Sequence, residues 1–315
     1  MRLLLLGGTA FLGRAAAEEA LRRGHEVTLF TRGRTNPELF PEAERLVGDR
    51  AGDLAALEGR SFDSVLDLSG YVPAHVRASA ELLRDSGHYA FVSSVSVYAD
   101  LSRGPDEESG LAELGDLPED RLAEDYSNYG ALKALCEDEV RAVFGGRALV
   151  VRPGLIVGPH DPTGRFTYWA RRLARGGEVL APGPPERRVQ FVDVRDLAEW
   201  LVDAAERRLA GTFNAVNEGV PWGDLLAGAE VTWVDDAFLL EHEVGPWLEL
   251  PLWIPDGGEF GGMHAVDASR ARAEGLRTRP LAETVAGAAD APETERAGLA
   301  PEREAELLAA WHARS

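Results

Sequence analysis

Residues 3–13 read LLLLGGTAFLG, and no other stretch of the chain limits its fold as tightly. Four consecutive leucines with no polar alternation make a strand buried on both faces, the situation of a central strand in a parallel sheet. The glycines behind it make a tight turn. Leu12, Ala16 and Ala20 follow at fourfold spacing, which predicts a helix that Gly24 ends. The same alternation continues: EVTLF (26–30), SVLDLS (64–69), YAFVSS (89–94) and ALVVR (148–152) read as strands, and VRASAELLRDSG (76–87) and NYGALKALCEDEVRAVFG (128–145) as helices between them. Apolar strands alternating with helices predict an α/β fold, a Rossmann-type doubly wound parallel sheet.

After RPG (152–154) the pattern loosens, proline and glycine become frequent, and every tryptophan lies at or beyond Trp169. QFVDVRDLAEWLVDAAERR (190–208) reads as a short strand, an Asp-capped turn and a helix; GTFNAV (211–216) reads as a further strand. The nucleotide-binding sheet is therefore expected to take residues 1–152 and to reclaim about 188–218. The stretches from about 153–187 and 219–315 are expected to build a smaller C-terminal substrate cap, closed by an amphipathic helix over PEREAELLAAW (301–311) that starts on a proline.

Composition removes several classes of function. A formal net charge of −20 repels polyanions, so no nucleic-acid partner is expected. One cysteine, Cys136, excludes an internal disulfide and a cysteine-cluster metal site, and the scattered histidines show no metal-ligand spacing. Cys136 reads as packing. No apolar run approaches the roughly 20 residues a membrane helix needs. The leucine block is too short for a secretory segment, so a cytoplasmic protein with a small-molecule substrate is expected.

Gly7, Ala10 and Gly13 occupy the three spaced positions of a dinucleotide loop, with Thr9, Phe11 and Leu12 between them. Such a turn presents backbone N–H groups and a helix N-terminus to a pyrophosphate. The first position must turn sharply and the last lets helix and strand pack closely. Alanine at the middle position is the smallest departure from glycine, and Gly8 is expected to offset the lost freedom. The second strand ends LFTRGR, where an acid would select NAD by its ribose hydroxyl. Arg32 and Arg34 stand there instead, and a guanidinium fork suits a 2′-phosphate. NADP is the expected cofactor, with NAD as the alternative and two solvated loop arginines as the plain reading. Asp49, in GDR, is a candidate partner for the adenine amino group.

YGALK places Tyr129 and Lys133 on one helix face, four residues apart. A phenol with an ordinary pKa of about 10 is a poor base, and a neighbouring ammonium and a nicotinamide cation are expected to lower it. Ser94, at the end of YAFVSS, is placed to donate a hydrogen bond to a substrate oxygen. Taken together, the loop, FVSSVSVY, YGALK, RPG…GP, VDVRDLA and AVDASRARAEGL (265–276) resemble the extended or atypical short-chain dehydrogenase/reductase superfamily, the NAD-dependent epimerase/dehydratase group, from Arg2 to about Leu281. The resemblance implies that Tyr129 transfers the proton, that Lys133 holds the nicotinamide ribose, and that Ser94 is the catalytic serine. It also places Ser69 and Gly70, in SGY, near the cofactor phosphates or ribose; related enzymes often dimerise through the helix bearing Tyr129, which leaves a homodimer open without fixing the oligomeric state.

Where dehydratases of that family carry Thr-Asp-Glu, this chain has Ser94-Val95-Ser96. Without those acids elimination is disfavoured, and decarboxylation with it. What remains is oxidoreductase or epimerase chemistry on a hydroxyl/carbonyl pair. Candidate substrate contacts are Ser96, His160, Arg165 and Arg188. Arg187 and the pair Arg171-Arg172 are stand-ins for missing diphosphate contacts, or solvated charges. Trp247 and Trp253 read as a pocket lining or lid, or as cap core. A competing reading is a nucleotide-sensing or RNA-binding homologue without turnover.

Overall fold

A computed structural model describes residues 1–289, 291 and 297–314, so the predicted cap range 219–315 extends over residues outside those described. Six strands form in order, β1 (Arg2–Leu6), β2 (Glu26–Thr31), β3 (Glu44–Val47), β4 (Ser64–Asp67), β5 (Tyr89–Val92) and β6 (Ala148–Pro153), and Gly211–Ala215 adds a seventh. The sheet runs β3-β2-β1-β4-β5-β6 and then Gly211–Ala215, every pair parallel. It is a Rossmann-type sheet with helices on both faces.

The leucine block shows why β1 is central. Leu3 and Leu5 pack on one face against Ala16 and Ala20 of α1 (Phe11–Arg22). Leu4 and Leu6 pack on the other against Val76 and Ala80 of α2 (Pro73–Leu82) and Cys136 and Val140 of α3 (Tyr129–Phe144). All four are fully buried. Each such side chain contributes about 1.5–3 kcal/mol relative to exposure. The helix predicted over 76–87 instead begins at Pro73, whose fixed φ suits a first helical turn, and ends at Leu82.

Beyond β6, α4 (Arg165–Arg175) and α5 (Val194–Arg207) follow; α5 lies beside α1 on the sheet, with Asp193 capping its first turn through Arg195 N. The remaining segments build a second core from Phe166, Trp169, Trp222, Phe238 and Trp253. Trp253 is fully buried in this second core, its Nε1 donating to Asp236 Oδ1 at 2.8 Å, so it cannot serve as a lid. Trp247 is half-buried.

Arg172 is a correction to the charge reading. In place of a phosphate contact, its buried guanidinium grips Glu304, with Nε at 2.7–2.8 Å from both carboxylate oxygens. Arg175 and the Leu180 N–H also donate to Glu304, which fastens helix Pro301–His312 to α4 and the strand Val179–Pro182. Arg171 reaches the Ala291 carbonyl at 2.8 Å, and Arg187 pairs with Asp236 and Asp256. Removing one partner of a buried pair leaves a charge without compensation, typically at a cost of about 3–5 kcal/mol. Glu304→Ala is expected to lose about 3–5 kcal/mol in urea unfolding; a loss under about 1 kcal/mol would contradict the packing described.

Candidate cofactor and catalytic site

In an open parallel sheet, ligands bind outside the carboxyl ends of the strands where the strand order reverses. Here that point lies between β1 and β4. A cavity of about 740 Å³ opens there, running from the glycine loop past Arg32 and Asp49 to Ser94, Tyr129 and Lys133.

The loop geometry explains each glycine separately. Gly7 sits at φ +89°, which favours glycine. A Cβ on Gly13 would stand 2.3 Å from the Gly7 carbonyl oxygen, so only glycine lets α1 approach β1. Ala10 is extended, at φ −137° and ψ 141°, a conformation open to any residue, so the missing middle glycine costs no strain. Gly8 therefore does not compensate for Ala10, contrary to expectation. It is glycine because a Cβ there would come within 2.5 Å of Leu29 Cδ2. No side chain caps the start of α1 and its first turn carries no acid, so the helix N-terminus faces the cavity with unpartnered N–H groups, which suits a phosphate anion. Thr9, Phe11 and Leu12 line the same wall.

Arg32 and Arg34 are exposed at the cavity edge. Asn36 Nδ2 donates to the Thr9 carbonyl at 2.8 Å and clasps their loop to the glycine turn, a link that no sequence motif marks. Asp49 lines the cavity; its Oδ1 accepts from Ala51 N at 3.0 Å. Ser69 and Gly70 line the cavity beside the glycine loop, with Ser69 Oγ donating to the Leu6 carbonyl at 3.0 Å. This combination of an uncapped helix start, a glycine-only approach and a long cavity fits a dinucleotide.

At the far end, α3 brings Tyr129 beside Ser94. The close approach depends on Gly130, where a Cβ would lie 2.0 Å from the Ser96 carbonyl oxygen. Tyr129 and Ser94 both line the cavity, and Ser94 Oγ donates to Ser96 Oγ at 3.1 Å. Burial pushes the Tyr129 phenol up to about 12, opposed by the neighbouring Ser94 hydroxyl and the Arg165 charge. The expected lowering by Lys133 is not what the chain alone shows, because desolvation dominates and the ammonium is engaged elsewhere. Lys133 Nζ donates to the carbonyls of Gly70 at 2.7 Å and Val92 at 2.6 Å. It lies 4.3 Å from the centroid of the Phe91 ring. Burial pushes Lys133 down to about 8. Lys133 is also the only lysine among 33 lysine and arginine residues, a signal that the sequence carries independently of the motif.

The remaining candidates separate. Arg165 opens α4, half-buried and outside the cavity lining, with its guanidinium carbon 4.8 Å from the Trp247 ring centroid and its Nε 3.4 Å from Thr163 Oγ1. His160 is exposed and does not line the cavity. Arg188 is not there either. It lies on a two-residue strand whose alternation buries Val189 and turns Arg188 outward, where it donates to the Gly219 carbonyl. Among the described residues, Asp49 is the only carboxylate in the cavity lining, and no cluster of metal-ligating side chains occurs.

A family model for the NAD dependent epimerase/dehydratase family matches residues 3–217, more than half of the chain. The chain belongs to that family. The match starts in β1 and runs to the end of the seventh strand, so it takes in every residue of the cavity named above. A dTDP-6-deoxy-L-talose 4-dehydrogenase (NAD(P)(+)) from Kitasatospora kifunensis is 30% identical over 234 residues, covering 66% of this chain and 71% of that protein. A chloroplast stem-loop binding protein of 41 kDa from Arabidopsis thaliana is 26% identical over 251 residues, covering 72% of this chain; the chain spans 62% of that protein's length. Among solved structures, the Bordetella bronchiseptica enzyme WbmH in complex with NAD+ superposes with a TM-score of 0.63 at 20% identity, covering 91% of this chain and 96% of that one. The human epimerase family protein SDR39U1 with NADPH gives 0.59 at 21%, covering 92% and 99%. No helix among the described residues is long and apolar enough to cross a membrane.

One lysine gives one ε-carbon resonance in a chain labelled with ε-¹³C-lysine. Its midpoint is expected near 8, against about 10.4 for a free side chain. Because folding lowers this pKa, the unfolded chain binds more protons between those values. The lysine's contribution to stability therefore rises with pH across that window and is flat below it. A midpoint at the free value would show that Lys133 is solvated.

Proposed function

We propose that the protein is an NADP(H)-dependent oxidoreductase or epimerase that interconverts a hydroxyl and a carbonyl on a sugar-like small molecule. The observation that carries this is the convergence of Ser94, Tyr129 and Lys133 at one end of a cavity whose other end is the glycine loop with Arg32 and Arg34. When bound there, a nicotinamide dinucleotide supplies or accepts a hydride. Tyr129 moves the hydroxyl proton, Ser94 orients the substrate oxygen by hydrogen bonding, and Lys133 holds a ribose hydroxyl in its ammonium form. A phenol near 12 is an acid at neutral pH, so carbonyl reduction starts from the protonation state the chain already has. Oxidation needs that proton lost, and its rate is expected to climb with pH through the neutral and alkaline range.

The lining supports hydroxyl/carbonyl chemistry over elimination, since its one carboxylate, Asp49, is at the opposite end from Tyr129. Arg165 is the candidate substrate cation: its charge is felt at Tyr129 and its flat face is covered by Trp247. The 4-dehydrogenase relative's name is in keeping with a sugar-like substrate. The chloroplast relative's name favours an RNA-binding alternative. The net charge of −20 and the intact Tyr129–Lys133 pair weigh against it. Retardation of a structured RNA at physiological salt would favour that alternative.

Two measurements test the reading. Tyr129→Phe is expected to reduce kcat by about 10²–10⁴-fold while leaving dinucleotide affinity intact; full turnover on the true substrate would remove Tyr129 from its role. Arg32→Ala with Arg34→Ala is expected to weaken NADP binding by roughly 10-fold or more, leaving NAD binding little changed. Equal loss for both dinucleotides, or a wild-type chain stabilised by NAD alone, would reverse the cofactor preference.

A further inference from the structure

At the cavity wall lies a polar cluster that the catalytic set does not use; Arg50 lines the cavity and the other members lie behind it. Asp67, the last residue of β4, is fully buried. Arg50, in the turn after β3, binds it with two parallel bonds, Nη1 to Oδ1 at 2.5 Å and Nη2 to Oδ2 at 2.8 Å. Tyr89 of β5 donates its hydroxyl to Asp67 Oδ2 at 2.7 Å, and Arg50 Nη2 also reaches Ser79 Oγ of α2 at 2.7 Å. The Arg50 backbone is pinned in turn, because Asp49 and Asp53 exchange backbone hydrogen bonds across it.

This cluster joins two loops that flank the cavity at different ends. Arg50 belongs to the turn that carries Asp49. Asp67 leads directly into the turn that carries Ser69 and Gly70, and its Oδ1 accepts from Ser69 N at 3.3 Å. Gly70 supplies one of the two carbonyls that hold Lys133. Its backbone cannot shift freely toward the sheet, since even a Cβ there would come within 2.7 Å of Phe91 and 3.2 Å of Arg50 Nη1. Stability alone does not explain such a pair, because apolar residues of similar volume commonly replace a buried ion pair with no loss of stability, or with a gain. What an apolar replacement cannot reproduce is a planar, two-point link that sets the distance and orientation between the loops.

We propose that the Arg50–Asp67 pair is a positioning device of the active site, holding the Ser69–Gly70 turn so that the Gly70 carbonyl fixes Lys133 for the dinucleotide. Neither residue acts on the reacting atoms; their charges act on Lys133 in opposite directions, and the two-point link acts through the turn. The proposal rests on the reading of the cavity as a dinucleotide site, and its test keeps the two apart.

The test uses the full chain in two variants. In one, Arg50→Met, Asp67→Leu and Tyr89→Phe together replace the whole cluster by apolar groups. In the other, Arg50→Lys keeps the charge and removes the two-point fork. Each is measured for thermal unfolding, for the Lys133 ε-carbon resonance without any dinucleotide, and for NADP affinity by calorimetry. In Arg50→Lys the Lys133 line is the one that disappears when Lys133→Arg is added. The expected result for the triple variant is a melting temperature near wild type, a displaced or broadened Lys133 line and NADP binding weaker by roughly tenfold. Arg50→Lys is expected to fall between it and wild type. A folded variant of either kind with an unmoved Lys133 line and wild-type NADP affinity overturns the proposal; should the triple variant not fold, Arg50→Lys decides by the same two readouts. Tyr89→Phe alone, which leaves the ion pair intact, is expected to leave the Lys133 line in place. If the wild-type chain binds neither dinucleotide, the cofactor reading fails, and the Lys133 line still reports whether the pair holds the turn.

Discussion

The contact between Gly13 and the Gly7 carbonyl is the constraint from which the site follows. With only 2.3 Å between that oxygen and the place a side chain would begin, α1 packs on β1 at a distance that no other residue permits. The helix start is thereby brought to the carboxyl end of the central strand. The strand itself is held on both faces by Leu3 to Leu6, so its end cannot move toward either layer. A rigid strand, a sharp turn at Gly7 and an uncapped helix N-terminus together leave polar N–H groups pointing at a cavity. Such an arrangement suits an anion through backbone alone, which is why its sequence signature is an absence of side chains.

At the other end of the cavity desolvation prevails. It raises the Tyr129 phenol and lowers the Lys133 ammonium, so both groups are pushed toward their neutral forms. Two opposing effects keep the lysine usable as a cation near neutral pH: two carbonyl acceptors and the nearby Asp67 carboxylate. Tyr129 has the Ser94 hydroxyl and the Arg165 charge on its side. The site therefore places a neutral acid and a weakly held ammonium within one α3 turn of each other, an arrangement that burial produces and solvent would erase.

The local parts of this design are legible in the sequence. Unbroken apolar runs predict the parallel sheet; the spacing of Gly7 and Gly13 is set within one strand–turn–helix unit and that of Tyr129 and Lys133 within one helix, and both pairs, with Ser94, line one cavity. The parts that depend on distant chain are not legible. Arg172 looks like surface charge because its partner Glu304 is 132 residues away. Trp253 looks like a lid because its partner Asp236 lies on a different segment. Gly8 suggests conformational freedom, whereas its reason is the Leu29 side chain on the next strand. Arg50 and Asp67 carry no motif at all, since an ion pair between two loops leaves no periodic trace.

The single lysine separates the features that are chemical from those that are compositional. A chain that uses arginine at every other Lys/Arg position has no general preference that would place lysine at 133. Arginine there would bring a planar fork that stays charged at any accessible pH. The space at Lys133 is bounded by the Gly70 and Val92 carbonyls and the Phe91 ring, and it is met by a compact ammonium whose three donors point in different directions. Two of those donors are taken by carbonyls, which leaves one for a hydroxyl of whatever occupies the cavity. Lysine is also the cation whose pKa burial can bring toward neutrality, and in this fold the value falls to about 8. Geometry and titration thus select the same side chain independently, and the rest of the sequence supplies no third reason for it.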